Sequence, residues 1–496
     1  MKKIFEGKWK YLTLFIAGGI ADFALAPFYV FPVLFISFPV FFKILNGAKD
    51  KKQAFKIGWV FGFGYFVFGL YWIANSLLVD AERFAWLIPF AVCGIPFGLA
   101  IYIGLMAALY KRLAAEAVWQ KIILFATLWV IFELLRTFLL TGFPWNLIGY
   151  AALASLVFSQ VASLGGIYLL SFIVIIISLL PVYFREWKPL AVLALVVIGG
   201  FAFGYFHMLK NGEEAKTAKI VIFQPNVAQS LKWEPDAARQ QFLQNIAAMK
   251  THEVQNADIV LWPESGVPYD LSREPEVVAL LESAAPEHGV LVTGALRSAG
   301  KTRENYQVWN TMYAVSREGI YEWYDKIHLV PFGEFVPFRK YLPLDKITPG
   351  DRDFSRGAAR PVIKYKTGPG FLPLICYEVI FPEFAASGQH PDLLVNITND
   401  AWFGDSTGPQ QHLAMARMRS IEQGLPMLRA ANTGVSAVID AHGRIIDSLK
   451  LNTYGFLAQN LELAKPVTIY PVYGDVIILG IIILNIAFLL IFRKKR

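Results

Sequence analysis

"DIVLWPESG", Asp258–Gly266, sets a short apolar run between Asp258 and Pro263 and follows it at once with a carboxylate, Glu264. A short apolar run of this kind reads as a β-strand that ends at Glu264. Similar β-like runs lie at 219–223, 289–293, 308–315, 371–375 and 392–397. Helical patterns at 236–255, 274–288 and 408–424 fall between them. Strands alternating with helices predict an α/β domain with a layered sheet, in which strand ends carry reactive side chains to one rim.

Outside this region the composition changes. The chain has 496 residues, 55% hydrophobic and 17% charged, too oily for an ordinary soluble protein. Apolar stretches near 11–28, 29–45, 57–79, 86–110, 121–140, 159–184, 189–208 and 475–492 predict about eight membrane spans. Pro27 and Pro32 blur the first boundary. The expected division is a membrane domain at 1–210, an extracytoplasmic α/β domain at 211–470, and an eighth span with a basic tail at 471–496.

The net charge of +8 is orientation charge and not a nucleic-acid footprint. Lys2, Lys3, Lys8 and Lys10 precede the first span, and Lys49, Lys51, Lys52 and Lys56 follow the second. Lys111, Arg112 and Lys121, then Arg185 and Lys188, mark later alternate loops, and Arg493–Arg496 end the chain. The intervening loops carry little charge, so the positive-inside rule puts both termini in the cytoplasm. Ala24-Leu25-Ala26 has the form of a signal-peptide cleavage site, but six further spans favour an uncleaved first helix. Within the spans, Asp22 invites a functional reading, while Glu133 and Arg136 are three apart and are expected to pair on one helix face.

Three motifs in the α/β domain carry the chemistry. They are "WPESG" (262–266), "DKIHLVPFGE" (325–334) and "CYE" (376–378). Singly each has an ordinary structural explanation. Together they supply a carboxylate base, Glu264, a cation, Lys326, and a thiol nucleophile, Cys376. A nearby ammonium is expected to lower the thiol pKa. Cys93 and Cys376 are the only cysteines; they fall in different domains and are not expected to form a disulfide. No repeat, glycine-rich phosphate loop or metal-ligand spacing stands out, and the seven histidines are scattered, so neither metal nor cofactor is expected.

Trp-Pro-Glu, Asp-Lys with a downstream Pro-Phe-Gly-Glu, and Cys-Tyr-Glu resemble the nitrilase, or carbon–nitrogen hydrolase, superfamily over about 218–465. Fused to about eight spans, and with "TGFPWN" at 141–146, the chain resembles one branch closely, the apolipoprotein N-acyltransferases of bacterial envelopes. The resemblance implies an α-β-β-α sandwich and a triad of Glu264 as base, Lys326 as oxyanion stabiliser and Cys376 as acyl carrier. Glu334 would hold Lys326, Tyr377 and Glu378 would support the nucleophile turn, and Trp233 would line the acyl or substrate pocket. It further implies a monomeric enzyme of the bacterial inner membrane with a periplasmic catalytic domain. A phospholipid, as phosphatidylethanolamine, would give its acyl group to a diacylglyceryl-modified apolipoprotein, in the last step of lipoprotein maturation. A membrane-anchored amidase using water as second substrate would present the same triad. The aromatic segments 331–341 and 142–145 are candidates for lids that touch lipid or for ordinary loop packing.

Overall fold

The computed structural model describes residues 7–113, 116–184, 187–209, 216–302, 304–341, 344–348, 350, 352–382 and 390–491. The chain divides into two compact units. One comprises 1–74, 86–210 and 468–496; the other comprises 75–85 and 211–467.

The first unit is helical. Each of the eight apolar stretches contains a helix, but lengths differ. Ala81–Leu113, Val118–Phe138 and Trp187–Leu209 are long and apolar enough to cross a membrane, while Phe31–Asn46, Ala162–Ser178 and Val476–Ile491 are shorter. The first helix, Trp9–Asp22, stops well before the expected 28, and Ala162–Ser178 is broken by non-helical backbone at Gly165 and Gly166. Helix Lys51–Leu70 starts where the Asp50 side chain accepts the Gln53 N–H, at 2.8 Å. It packs closely on its neighbours because it lacks side chains at the contacts: a Cβ on Gly64 would fall 2.0 Å from the Phe15 carbonyl oxygen.

The expected Glu133–Arg136 pair does not form. Arg136 and Asp22 instead hold the "TGFPWN" loop, and Glu133 holds Ile148 just beyond it. Arg136 Nη1 donates to the carbonyls of Phe143 and Trp145, both at 2.6 Å. Glu133 Oε1 accepts the Ile148 N–H (2.9 Å) and Trp129 Nε1–H (3.0 Å). Asn146 Nδ2 donates to Asp22 Oδ1 at 2.8 Å, and Tyr65 donates to the Asn146 carbonyl at 2.8 Å. The loop is buried, so its backbone groups are cut off from water and polar side chains take them up. That requirement outweighs pairing along one helix.

Among the described residues the second unit contains two sheets, as the resemblance to the nitrilase superfamily implied. The first has six strands in the order β11-β1-β2-β3-β4-β5. These are β1 (Thr217–Gln224), β2 (Ile259–Leu261), β3 (Val290–Ala299), β4 (Gln307–Ser316), β5 (Gly319–Asp325) and β11 (Gly455–Glu462). The second has five, ordered β10-β9-β8-β7-β6. They are β6 (Phe371–Ile375), β7 (Leu393–Ile397), β8 (Met427–Ala430), β9 (Ala437–Ile439) and β10 (Ile445–Ser448). β1, β2 and β3 run parallel, as do β6, β7 and β8, and antiparallel strands flank both sets.

Strand alternation builds the layers. Ile220, Ile222, Ile259, Leu261, Val290 and Val292 face the second sheet and pack with Leu393, Val395, Ile397, Leu428 and Val438. Val221, Phe223, Val260 and Leu291 point the other way, onto helices Pro235–Ala248 and Pro275–Ala284 through Phe242, Ile246, Val277 and Leu281. Helix Gly408–Gln423 lies on the outer face of the second sheet, against β8. The result is a four-layer α-β-β-α arrangement in which parallel strands are buried on both faces, which is why they read as unbroken apolar runs. The strands missed from sequence, β5 and β8–β11, include short ones and ones with an exposed face, such as β10 and β11.

Candidate active site

β6 is fully buried and leads directly into Cys376, whose φ is +49°. A left-handed non-glycine residue at a strand end is strained, and the surroundings must hold it there. Glu378 does so. Its Oε2 accepts the Ile375 N–H at 2.8 Å. Its Oε1 accepts the Tyr324 hydroxyl (2.6 Å) and the N–H groups of Ile327 (2.9 Å) and His328 (3.2 Å). The Arg360 guanidinium lies 3.0 Å from the same oxygen. Glu378 thus ties the cysteine turn to the chain just after Lys326. Tyr377 packs edge-on against Phe381, with ring centroids 5.2 Å apart.

Glu264 leaves the end of β2 on a tight turn in which Ser265 has φ +51°. β3 makes room for it: a Cβ on Gly294 would lie 2.7 Å from both Glu264 Cα and Ser265 N. Lys326 leaves the end of β5, and its N–H donates to the Asn310 carbonyl at 2.9 Å. β2 and β5 run in the same direction, so both side chains reach one rim. Lys326 Nζ lies 3.0 Å from Glu334 Oε1 and 3.5 Å from Glu264 Oε1. Asn310 Nδ2 bridges the same two carboxylates at 2.8 and 2.7 Å. Glu264 Oε2 accepts the Asn399 N–H (2.9 Å), which joins this rim to the end of β7. Glu334 Oε2 accepts the Val330 N–H (2.8 Å).

All of these side chains are buried. Burial alone would neutralise Lys326, but the charges of Glu334 and Glu264 outweigh it and hold the ammonium well above its ordinary range. The Cys376 thiol moves the other way from expectation. Burial, then the Glu264 charge, pushes it up; Lys326 and the Thr398 hydroxyl pull it down and lose. The resting group is therefore a thiol, and attack requires a base to remove its proton in the reaction step.

Sequence reading missed several groups here. Asn310 is a polar residue inside an otherwise buried strand. Lys232 Nζ is buried and donates to the carbonyls of Glu264 and Ser265, both at 3.4 Å. Burial, partly opposed by the Glu264 charge, lowers its pKa to about 8. Trp233 ends the short turn Leu231–Trp233, and its side chain lies outside the described residues. Thr398, Asn399 and Asp400 follow β7 directly, and a polar triplet after a parallel apolar strand was the available signal.

Comparison with known proteins agrees across nearly the whole chain. Residues 17–180 match the apolipoprotein N-acyltransferase N-terminal domain, and 219–465 match carbon–nitrogen hydrolase. An apolipoprotein N-acyltransferase of Rhodopseudomonas palustris is 38% identical, over 98% of this chain and 96% of its own length. That of Bradyrhizobium diazoefficiens is 39% identical over 98% and 95%. That of Brucella melitensis is 36% identical over 92% and 91%.

Proposed function

The chain belongs to the apolipoprotein N-acyltransferase family, and on that premise we propose how its own residues carry the reaction. It is an N-acyltransferase that moves a fatty acyl group from a membrane phospholipid to the α-amine of an apolipoprotein's N-terminal diacylglyceryl-cysteine. In the first half, Glu264 takes the Cys376 Sγ proton and the thiolate attacks the ester carbonyl of the phospholipid. The developing oxyanion meets Lys326; an ammonium has three N–H groups, of which one is donated to Glu334, while Glu264 lies 3.5 Å away as an ion pair. Collapse breaks the ester C–O bond, the lysophospholipid oxygen takes the proton from Glu264, and a thioester remains. In the second half, the amine attacks the thioester and its proton passes to Glu264. The C–S bond breaks, the thiol recovers the proton, and an amide is left.

The observation that carries this reading is the buried Glu264–Lys326–Glu334 array at one rim with the strained Cys376. Glu334, Glu378 and Tyr377 support it without touching substrate. We take phosphatidylethanolamine as the donor and Trp233 as part of the pocket that receives it. We further read the chain as a monomer of the bacterial inner membrane with about eight spans and both termini cytoplasmic. Residues 211–470 are then periplasmic, with 1–210 and 471–496 in or beside the bilayer. Each acyl CH₂ drawn from a bilayer costs about 0.8 kcal/mol, so extracting a sixteen-carbon chain into water would cost roughly 10 kcal/mol. A membrane-embedded enzyme avoids that cost.

The test uses full-length protein in phospholipid vesicles with acyl-labelled phosphatidylethanolamine. Label trapped on Cys376 that persists until an amine acceptor is added supports transfer. Rapid release of free fatty acid would make the chain a hydrolase, and no label at Cys376 would overturn the scheme.

A further inference from the structure

The acyl-transfer scheme leaves one buried cation beside the base unused. Lys232 lies in the turn Leu231–Trp233, between β1 and helix Pro235–Ala248, and its side chain is shut away from water. Among the described residues no carboxylate forms an ion pair with it; that of Glu264 pairs with Lys326 instead. A charge buried without an ion pair costs stability, so its place here needs a reason. Its contacts supply one. Nζ lies 3.4 Å from the carbonyl oxygen of Glu264 and 3.4 Å from that of Ser265. These are consecutive carbonyls of the turn that presents the base, in which Ser265 is left-handed at φ +51°. Among the described residues no backbone N–H reaches either oxygen.

The same loop takes hold of the Glu264 carboxylate by a second route. Glu264 Oε2 accepts the Asn399 N–H at 2.9 Å, and Asn399 Nδ2 donates to Gln229 Oε1 at 2.6 Å. Asn432, two residues beyond β8, donates one N–H to Asn399 Oδ1 at 2.8 Å and the other to the Val227 carbonyl at 2.9 Å, while its Oδ1 accepts the Val227 N–H at 3.0 Å. The loop 227–232 is therefore pinned at its start to the second sheet. Towards its end it grips the backbone of Glu264 through Lys232 and, by way of Asn399, the side chain of Glu264 through Gln229. We propose that Lys232 is a positioning residue for the base: it draws the Glu264–Ser265 turn onto this loop and so sets where the carboxylate stands when it takes the Cys376 proton. Serving two carbonyls at once takes several N–H groups on a long stem, which lysine provides. Gln229 acts on the same base through Asn399. The inference rests on Glu264 as the base.

The experiment uses full-length protein in phosphatidylethanolamine vesicles. It compares wild type, Lys232→Met, Lys232→Arg, Gln229→Met and Glu264→Gln, and the first and fourth substitutions each combined with Glu264→Gln. Three quantities are read: single-turnover acyl loading at varied phospholipid, the rate of Cys376 alkylation by iodoacetamide, and Tm. Losing the charged donor from the turn of the base should slow loading at saturating phospholipid roughly ten- to hundredfold in Lys232→Met, with half-saturation unchanged. Tm should not fall, because removing an unpaired buried charge offsets the loss of its two bonds. Gln229→Met should slow loading by a smaller factor, and Lys232→Arg, which keeps charge and donors, should load faster than Lys232→Met. Alkylation should slow in step with loading, since the resting thiol needs Glu264 there too. Once Glu264→Gln is present, adding Lys232→Met should leave alkylation unchanged, whereas a merely structural role would slow it again. Wild-type loading in a Lys232→Met protein that keeps its Tm, or an equal loss of alkylation with and without Glu264, would overturn the role. If Lys232→Met does not fold, Gln229→Met alone and with Glu264→Gln decides by the same comparison. A Glu264→Gln protein that loads like wild type would instead refute Glu264 as the base.

Discussion

Replacing Lys326 with Met tests the electrostatics of the site directly. The ammonium sits 3.0 Å from Glu334 and 3.5 Å from Glu264, with about 1% of its side chain exposed. At an effective dielectric of about 20, each of those contacts is worth roughly 5 kcal/mol before desolvation is subtracted. Methionine keeps the packing but leaves two buried carboxylates sharing only Asn310 and backbone donors. Stranding a buried charge in this way costs about 3–5 kcal/mol, which for a domain of this size lowers Tm by roughly 10 °C. One carboxylate should then take up a proton, so the deficit should shrink as pH falls from 7 to 5. On the alkaline side nothing should change until above the ordinary lysine pKa, because the native ammonium titrates higher still. Acyl loading should fall by a further, separate factor of about 10²–10³, the usual worth of an oxyanion donor. The double variant Lys326→Met/Glu334→Gln removes one charge of each sign and should recover most of the stability but none of the loading. Thermal unfolding across pH, paired with acyl loading, provides the readout. A Tm within 2 °C of wild type at pH 7, or a loss that does not vary with pH, would refute the account.

Three other substitutions follow the same logic. Glu378→Gln leaves Arg360 buried without its anion, so Tm should drop by several degrees and loading should fall through a loosened cysteine turn; an unchanged melt would show that the brace is dispensable. Lys232 has a native pKa of about 8 against 10.5 ordinarily, so the unfolded chain binds a proton that the native one has shed between those values. Wild-type stability should therefore gain with rising pH across that window, by up to about 3 kcal/mol; Lys232→Met should lack this increment, and parallel slopes from pH 7 to 10 would disprove it. Gly294→Ala would press a methyl onto the Glu264 backbone at 2.7 Å, costing about 1–3 kcal/mol and at least tenfold in loading, measured against a Tm control; full activity would mean that Glu264 needs no such exact seat.

The resting state of Cys376 illustrates why a charge partner read from sequence does not predict a pKa. Lys326 does act on the thiol in the expected direction. Its effect is spent chiefly on Glu334 and Glu264, and burial, invisible in a motif, decides the sign. The same holds in the helical unit. Glu133 and Arg136 are correctly spaced to meet, yet the loop between Arg136 and Ile148 presents carbonyls and an N–H that take them first. Local spacing lists which contacts are possible, and the competition among them is settled by what else is brought near.

By itself the sequence determined the apolar helices, the α/β alternation and the three motifs holding Glu264, Lys326 and Cys376, because each is written in a few neighbouring residues. Periodicity and composition are local properties. Only the tertiary structure decided the order of the strands within the two sheets, that Asn310 bridges Glu264 to Glu334, and that Thr398, Asp400, His412 and Arg429 gather near Cys376. Apart from Thr398 and Asp400, two residues apart, those contacts join different elements of the chain, as Asn310 joins Glu264 or Arg429 joins Asp400, and no short stretch records them. What brings them together is burial: once both faces of the parallel strands are covered, the polar groups at their ends are drawn to partners across the rim.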